Sequence, residues 1–351
     1  MKIAITADLH LTTQSRNPER FSALENILRQ AAGDGIATLV VAGDLFDASG
    51  RNYAEFETIC SRDDFRSIRV LVLPGNHDVM LREAAFTAAN VEIVSETRVL
   101  EGDALKILLA PYKEGVAAGA EIATFVSQLP EHRWVYIGHG DWTDGFYEPN
   151  PLEPGVYMPL TGIDIERFKP SKAILGHIHK PMDGERVSYV GSPCAIAINE
   201  TGKRRFFVLD TLSQELTART VATDVIYFDE AFIVVPVADE EAHIRDQIEK
   251  RMRSWDLTDE EMTRVVAQVR IMGYSTDKRK LLQYVEGAFK GVRLHNDQAD
   301  LSGVTVAEDV SLAEIAHRTS EWLERAEWQW EAASPGKEEV LLEALHTIYG
   351  E

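Results

Sequence analysis

Five short polar clusters, each set directly behind an apolar run, restrict this chain more than any other feature. They are Asp8-Leu9-His10, Gly43-Asp44-Leu45-Phe46-Asp47, Gly75-Asn76-His77-Asp78, Gly138-His139-Gly140 and Gly176-His177-Ile178-His179. The runs ahead of them, Ile3 to Ile5, Thr38 to Ala42, Val70 to Leu73, Trp134 to Ile137 and Ala173 to Leu175, are short and largely apolar. Such runs read as strands buried on both faces of a layered α/β fold. In open α/β sheets ligands gather at the carboxyl ends of strands, where all five clusters fall. Asp, Asn and His offer oxygen and imidazole donors suited to manganese, iron or zinc. The glycines let the backbone turn sharply and keep space free beside an ion. A lone histidine is more often structural than a ligand. It is the ordered set, holding five of the ten histidines, that points to a metal centre.

The segments between the clusters fit this frame. Pro18 to Gln30 and Tyr53 to Ser61 read as helices, and Leu105 to Ala110 as a further strand. Arg186 to Val190 and Arg205 to Asp210 read as a hairpin-like ending of the core. A loop rich in Pro and Gly, Thr143 to Gly162, separates two motif-bearing strands and is expected to border the site.

After about Val225 the pattern changes. Ala231 to Val237, Glu240 to Trp255, Val265 to Met272, Thr276 to Phe289 and Gly291 to Leu294 alternate as strand, helix, strand, helix, strand, a small α/β unit. Asn296 to Val310 is polar and reads as a linker. Leu312, Ile315, Ala316, Thr319, Leu323, Ala326 and Trp330 then keep helical spacing. Ser334-Pro335-Gly336 breaks it, and Glu338 to Tyr349 forms a second helix. The expected division is 1–225, 226–300 and 301–351.

Charge and cysteine content exclude some functions. A net charge of −21, from 57 acids and 36 bases, argues against a broadly basic nucleic-acid surface. It does not exclude nucleic acid as substrate, because metal ions supply positive charge at the scissile phosphate. Cys60 and Cys194 are the only cysteines and lie far apart in no ligand pattern, which argues against a disulfide framework or zinc–thiolate site. The chain has no apolar run near 18 residues and opens on a strand rather than a signal peptide. The expectation is a cytoplasmic protein with no membrane association.

From Met1 to about Asp210 the motifs resemble the calcineurin-like metallophosphoesterase superfamily. That resemblance implies a four-layer α/β/β/α core holding two divalent metal ions, manganese the first choice. One ion would be held by Asp8, His10, Asp44 and His179. The other would be held by Asp44, Asn76, His139 and His177, with Asp44 bridging. His77 would face the substrate as proton donor to the leaving oxygen, oriented by Asp78. Two such ions clamp the attacking and leaving oxygens of an in-line displacement.

A narrower resemblance follows the last motif. Tyr189-Val190-Gly191-Ser192-Pro193 and Asn199-Glu200-Thr201-Gly202-Lys203 are similar to the same stretch of SbcD-type nucleases. So are Gly43 to Asp47 and the order of parts: core, small α/β cap, C-terminal helices. This implies a manganese-dependent DNA nuclease, a homodimer, whose C-terminal helices grip the coiled coil of an SbcC-type ATPase. Trp322, Trp328 and Trp330 would be aromatic anchors there. His139-Gly140-Asp141-Trp142-Thr143 departs from the usual wording of that group, and the chain is short and acidic for it. Two other readings stay open: a stand-alone phosphodiesterase for small nucleotides, and a weakly active scaffold that binds DNA ends. Arg16, Arg20 and Arg51, and the run Lys278-Arg279-Lys280, are candidates for phosphate-backbone contact or ordinary surface charges.

Overall fold

The structure is a computed structural model that describes residues 1–47, 52–144, 155–307, 310–327 and 335–350. The chain divides into two compact units, Met1–Ile196 with Lys203–Val225, and Ala197–Gly202 with Ile226–Glu351.

The first unit runs β1 (Lys2–Thr6), α1 (Pro18–Gly33), β2 (Thr38–Ala42), α2 (Tyr53–Cys60), β3 (Arg69–Leu73), β4 (Val91–Ile93), β5 (Arg98–Glu101), β6 (Lys106–Ala110), α3 (Ala118–Phe125), β7 (Trp134–His139), α4 (Gly162–Phe168), β8 (Lys172–Gly176), β9 (Met182–Asp183), β10 (Val187–Tyr189), β11 (Arg204–Asp210) and β12 (Leu216–Val221). These strands form two six-stranded sheets, ordered β12-β11-β1-β2-β3-β4 and β5-β6-β7-β8-β10-β9. Alternation along each strand supplies three apolar layers. Ile3, Ile5, Val40 and Leu71 meet Ile107, Leu109, Val135 and Ile137 between the sheets. Their neighbours Ala4, Leu39, Val41 and Val70 pack on Phe21, Leu24, Ile27 and Phe56 of α1 and α2. Leu108, Trp134 and Tyr136 pack on Ile122, Ile165 and Phe168 of α3 and α4. The result is the four-layer α/β/β/α core. Pro18 opens α1, where its missing N–H costs nothing.

The expected hairpin of Arg186–Val190 with Arg205–Asp210 does not form. β10 lies parallel to β8 in one sheet, and β11 runs antiparallel to β1 in the other. β11 is apolar on both faces. Phe206 and Val208 face the helices while Phe207 and Leu209 face the other sheet. It therefore takes an inner position, with the largely exposed β12 as its hairpin partner and edge.

The second unit contains β13 (Ile226–Val234), α5 (Glu240–Ser254), α6 (Asp259–Met262), β14 (Val265–Ser275), α7 (Lys278–Ala288), β15 (Arg293–Leu294), β16 (Asp300–Val306), α8 (Ala313–Arg325) and α9 (Lys337–Tyr349). β14 pairs in parallel with β13, β15 and β16. The stretch that reads as a linker is thus partly strand. A register shift opposite Arg270 and Met272 leaves Leu301 and Val304 buried three residues apart, so the period of two is lost from the sequence.

The C-terminal helices belong to this unit. Ala316 of α8 and Leu345 of α9 are fully buried with Ile233, Val235 and Tyr274, and Tyr349 stacks on Tyr274 at 4.4 Å between ring centres. Ile315 and Trp322 on α8 are exposed, while Trp328 and Trp330 fall outside the described residues. Leu345→Ala should cost about 2–5 kcal/mol of stability, as buried leucine truncations do. A denaturant or thermal melt checks this, and an unchanged midpoint would show that α9 is not part of the unit's core.

No helix among the described residues is long and apolar enough to cross a membrane. Cys60 and Cys194 are both buried, and neither is in a disulfide.

Candidate metal centre

One cluster lies at the carboxyl end of each of β1, β2, β3, β7 and β8, in the strand's last residues or the loop behind it. The first two loops stay zipped beyond their strands. Asp8 N–H donates to Gly43 O at 3.1 Å, His10 N–H to Asp44 O at 3.0 Å and Leu11 N–H to Leu45 O at 2.9 Å. These bonds hold unusual backbone. Asp8, His10, Asp44 and His177 have φ of 54°, 44°, 51° and 96°. Non-glycine residues in the left-handed region cost about 1–3 kcal/mol each, and persist only where their surroundings over-determine them. The neighbouring glycines make the crowding possible. A Cβ on Gly43 would stand 1.9 Å from His139 Nδ1, and one on Gly75 would stand 2.1 Å from Asp44 Oδ1.

The side chains converge. His10 Nε2 lies 3.0 Å from His179 Nε2 and 3.6 Å from Asp44 Oδ2. The same Asp44 oxygen is 3.3 Å from His139 Nε2. That nitrogen is 2.7 Å from Asn76 Oδ1, which in turn is 3.1 Å from His177 Nδ1. Asp8 accepts the His177 N–H at 2.9 Å. The structure thus brings together all seven residues of the expected ligand set.

Whether the set suits a metal can be judged from its lone pairs. His139 Nδ1–H donates to the Ala42 carbonyl at 3.0 Å, so Nε2 offers a lone pair. It points at a carboxylate oxygen and an amide oxygen, which are also acceptors. Buried acceptors facing one another need a proton or a metal cation between them. Among the described residues, three groups have ligand atoms within 4.8 Å of one another: Asp8, His10 and His179; His10, Asp44 and His77; and Asp44, His139 and His177. Imidazoles with carboxylates fit a first-row divalent ion.

Burial and mutual charge set the titration here. Burial pushes His10 down to about 4, against the pull of Asp44. Burial raises the Asp8 carboxyl, partly offset by His139 and His179. For Asp44 burial acts upward, but His139, then His10 and His77, hold the carboxyl well below its usual range. Burial opposes charge on His139, yet Asp44, Asp8 and the Ala42 carbonyl raise it to about 10. Without metal, a proton on His139 supplies the positive charge the acceptors demand. Metal binding should therefore release protons and tighten as pH rises, because the proton competes with the ion. Calorimetric titration in buffers of different ionisation enthalpy measures the release. Binding heats independent of buffer would remove the competition.

The other two expected site residues, His77 and Asp78, lie beside this set. The His77 ring lies edge-on to His10 at 4.9 Å, within ligand reach of His10 and Asp44. Its backbone N–H donates to Asp44 Oδ1 at 3.0 Å. The Asp78 carboxylate accepts the Gly75 N–H at 2.6 Å and the Phe46 N–H at 3.1 Å. Burial and the charge of Asp44 raise that carboxyl. Asp78 therefore fixes the loop that carries His77, a positioning role exerted through backbone amides.

Asp141 was not among the expected site residues. It is buried, accepts the Tyr157 N–H at 2.7 Å and lies 3.7 Å from His177 Nε2, behind the nitrogen that faces Asn76. The signal was an acid two residues past a motif histidine. Arg20 is not a surface arginine. It is 7% exposed, donates to the His10 carbonyl and lies 3.9 Å from Asp47. Arg16 is exposed, and Arg51 falls outside the described residues.

Residues 1–181, just over half of the chain, match the family model for calcineurin-like phosphoesterases. No curated protein matches the sequence. Similar solved structures include a novel archaeal phosphodiesterase, at 15% identity and a TM-score of 0.33, covering 63% of this chain and 100% of that one. Another is Yfce, a phosphoesterase from E. coli, at 16% identity and a TM-score of 0.32, covering 63% of this chain and 99% of that one. At these scores neither likeness bears on what this chain binds or cleaves.

Proposed function

The chain belongs to the calcineurin-like phosphoesterase family and is a metal-dependent phosphoester hydrolase, and from that premise we propose that it cuts DNA phosphodiesters as the nuclease subunit of an SbcCD-like repair complex in the cytoplasm. The observation that carries a two-ion site is the single Asp44 oxygen set between His10 and His139. In this reading Asp8, His10, Asp44 and His179 hold the first ion, and Asp44, Asn76, His139 and His177 the second. When bound, a pair of divalent ions, manganese the first choice, supplies Lewis acidity at the phosphoryl oxygens and lowers the pKa of a water.

The chain's own groups do the rest. The His77 amide holds Asp44 Oδ1, which leaves Oδ2 for the shared position. The Ala42 carbonyl fixes the His139 tautomer, so that Nε2 faces inward. The Asp141 carboxylate stands 3.7 Å behind His177 Nε2 as an electrostatic neighbour. The half-buried His77 imidazole donates a proton to the leaving oxygen. Ile315 and Trp322, 53% and 68% exposed on α8, offer an apolar patch for a coiled-coil ATPase partner. A homodimer completes the assembly in this reading.

DNA as substrate rests on the likeness of Tyr189–Pro193 and Asn199–Lys203 to SbcD-type nucleases. A second reading, a phosphodiesterase for small nucleotides, is favoured by the net charge of −21 and by Arg20 being turned inward. A manganese cleavage assay separates them, with linear duplex, single-stranded and hairpin DNA beside a small chromogenic phosphodiester. Cleavage of DNA supports the nuclease. Cleavage of the small ester alone favours the second reading, and cleavage of neither removes both.

A further inference from the structure

Two buried arginines outside the five motifs meet the backbone of the two histidines at one end of the site. Arg20 of α1 donates through Nη1 to the His10 carbonyl. Arg204, the first residue of β11 and 1% exposed, donates through Nη2 to the His179 carbonyl and, at 2.7 Å, to Ser192 Oγ. Its Nε donates to Ser192 O at 2.9 Å, and Ser192 N–H also donates to His179 O at 3.0 Å. The imidazoles of His10 and His179 meet at 3.0 Å between their Nε2 atoms. Each half of this pair is therefore braced from behind by a guanidinium, by one bond from Arg20 and by the planar fork of Arg204, which fixes direction as well as distance. The opposite end is held by other means, with the Ala42 carbonyl behind His139 and Asp141 behind His177.

We propose that Arg20 and Arg204 are positioning residues for the first metal ion, setting its affinity through the backbone of His10 and His179. The assignment rests on the two-ion reading. Charge and position predict opposite signs for it. Removing a cation beside a dication site tightens binding by Coulomb's law. Loosening a braced ligand weakens binding, by about 10- to 100-fold for outer-shell partners of a metal site.

The test is calorimetric titration of metal-free full-length protein with manganese, with His179→Ala identifying the first-site transition. Arg20→Met and Arg204→Met should each weaken the first site about tenfold or more and leave the second within about twofold. Arg204→Lys keeps the charge without the fork and should stay weakened, whereas Arg20→Lys, serving one carbonyl, should recover in part. The lysine variants carry the test if the methionine variants do not fold. Tighter binding, unchanged binding, or equal weakening at both sites would overturn the assignment. Wild-type protein that binds fewer than two ions would overturn the two-ion reading itself.

Discussion

Asp44→Ala is expected to abolish phosphoester hydrolysis and to empty both ion positions. One oxygen of this carboxylate stands between His10 and His139, and the other holds the His77 amide. Neighbouring charges keep the group ionised. Two unit charges about 4 Å apart interact by about 4 kcal/mol at an effective dielectric near 20. That is roughly a thousandfold in affinity for each unit of ionic charge. Both ions lose this attraction at once, and their mutual repulsion loses its screen. Elemental analysis of the purified variant beside an activity assay decides the matter. Two ions retained in Asp44→Ala would mean that the shared oxygen is not a bridge.

His77→Ala should give the opposite pattern, with both ions retained and turnover reduced by about 10²–10⁴-fold, the range for a lost general acid. Truncating the ring leaves the backbone N–H on Asp44 in place. The loss should fall on kcat, with KM little changed, because the interaction is made in the transition state. The ring also stands within ligand reach of His10 and Asp44, so metal content is the deciding measurement. Loss of an ion from His77→Ala would make His77 a ligand and end its assignment as proton donor.

The five clusters were legible because each follows a strand buried on both faces, and apolar runs of that kind need no partner knowledge to be read. Which sheet a strand joins was less legible. β11 carries apolar residues on both faces, and its sequence says only that both must be covered. β16 was hidden by the irregular spacing of Leu301 and Val304. Arg20 read as surface because arginine usually is, and its carbonyl partner lies on another element. The pairing of Asp78 with two amides depends on how the loops after β2 and β3 meet, which no local pattern records.

The left-handed backbone at Asp8, His10, Asp44 and His177 has a practical consequence for anyone dissecting the site by mutagenesis. Alanine is no neutral truncation there, since it keeps the Cβ that disfavours this conformation and, at Asp8 and Asp44, loses the side-chain bonds to the His177 and His77 amides, leaving only the backbone bonds between the loops. The loop is then free to relax, and an alanine phenotype mixes a missing ligand with a moved chain. Glycine removes the ligand while accepting the same turn. Asp44→Gly made beside Asp44→Ala would separate the two contributions, and the comparison extends to the other three positions.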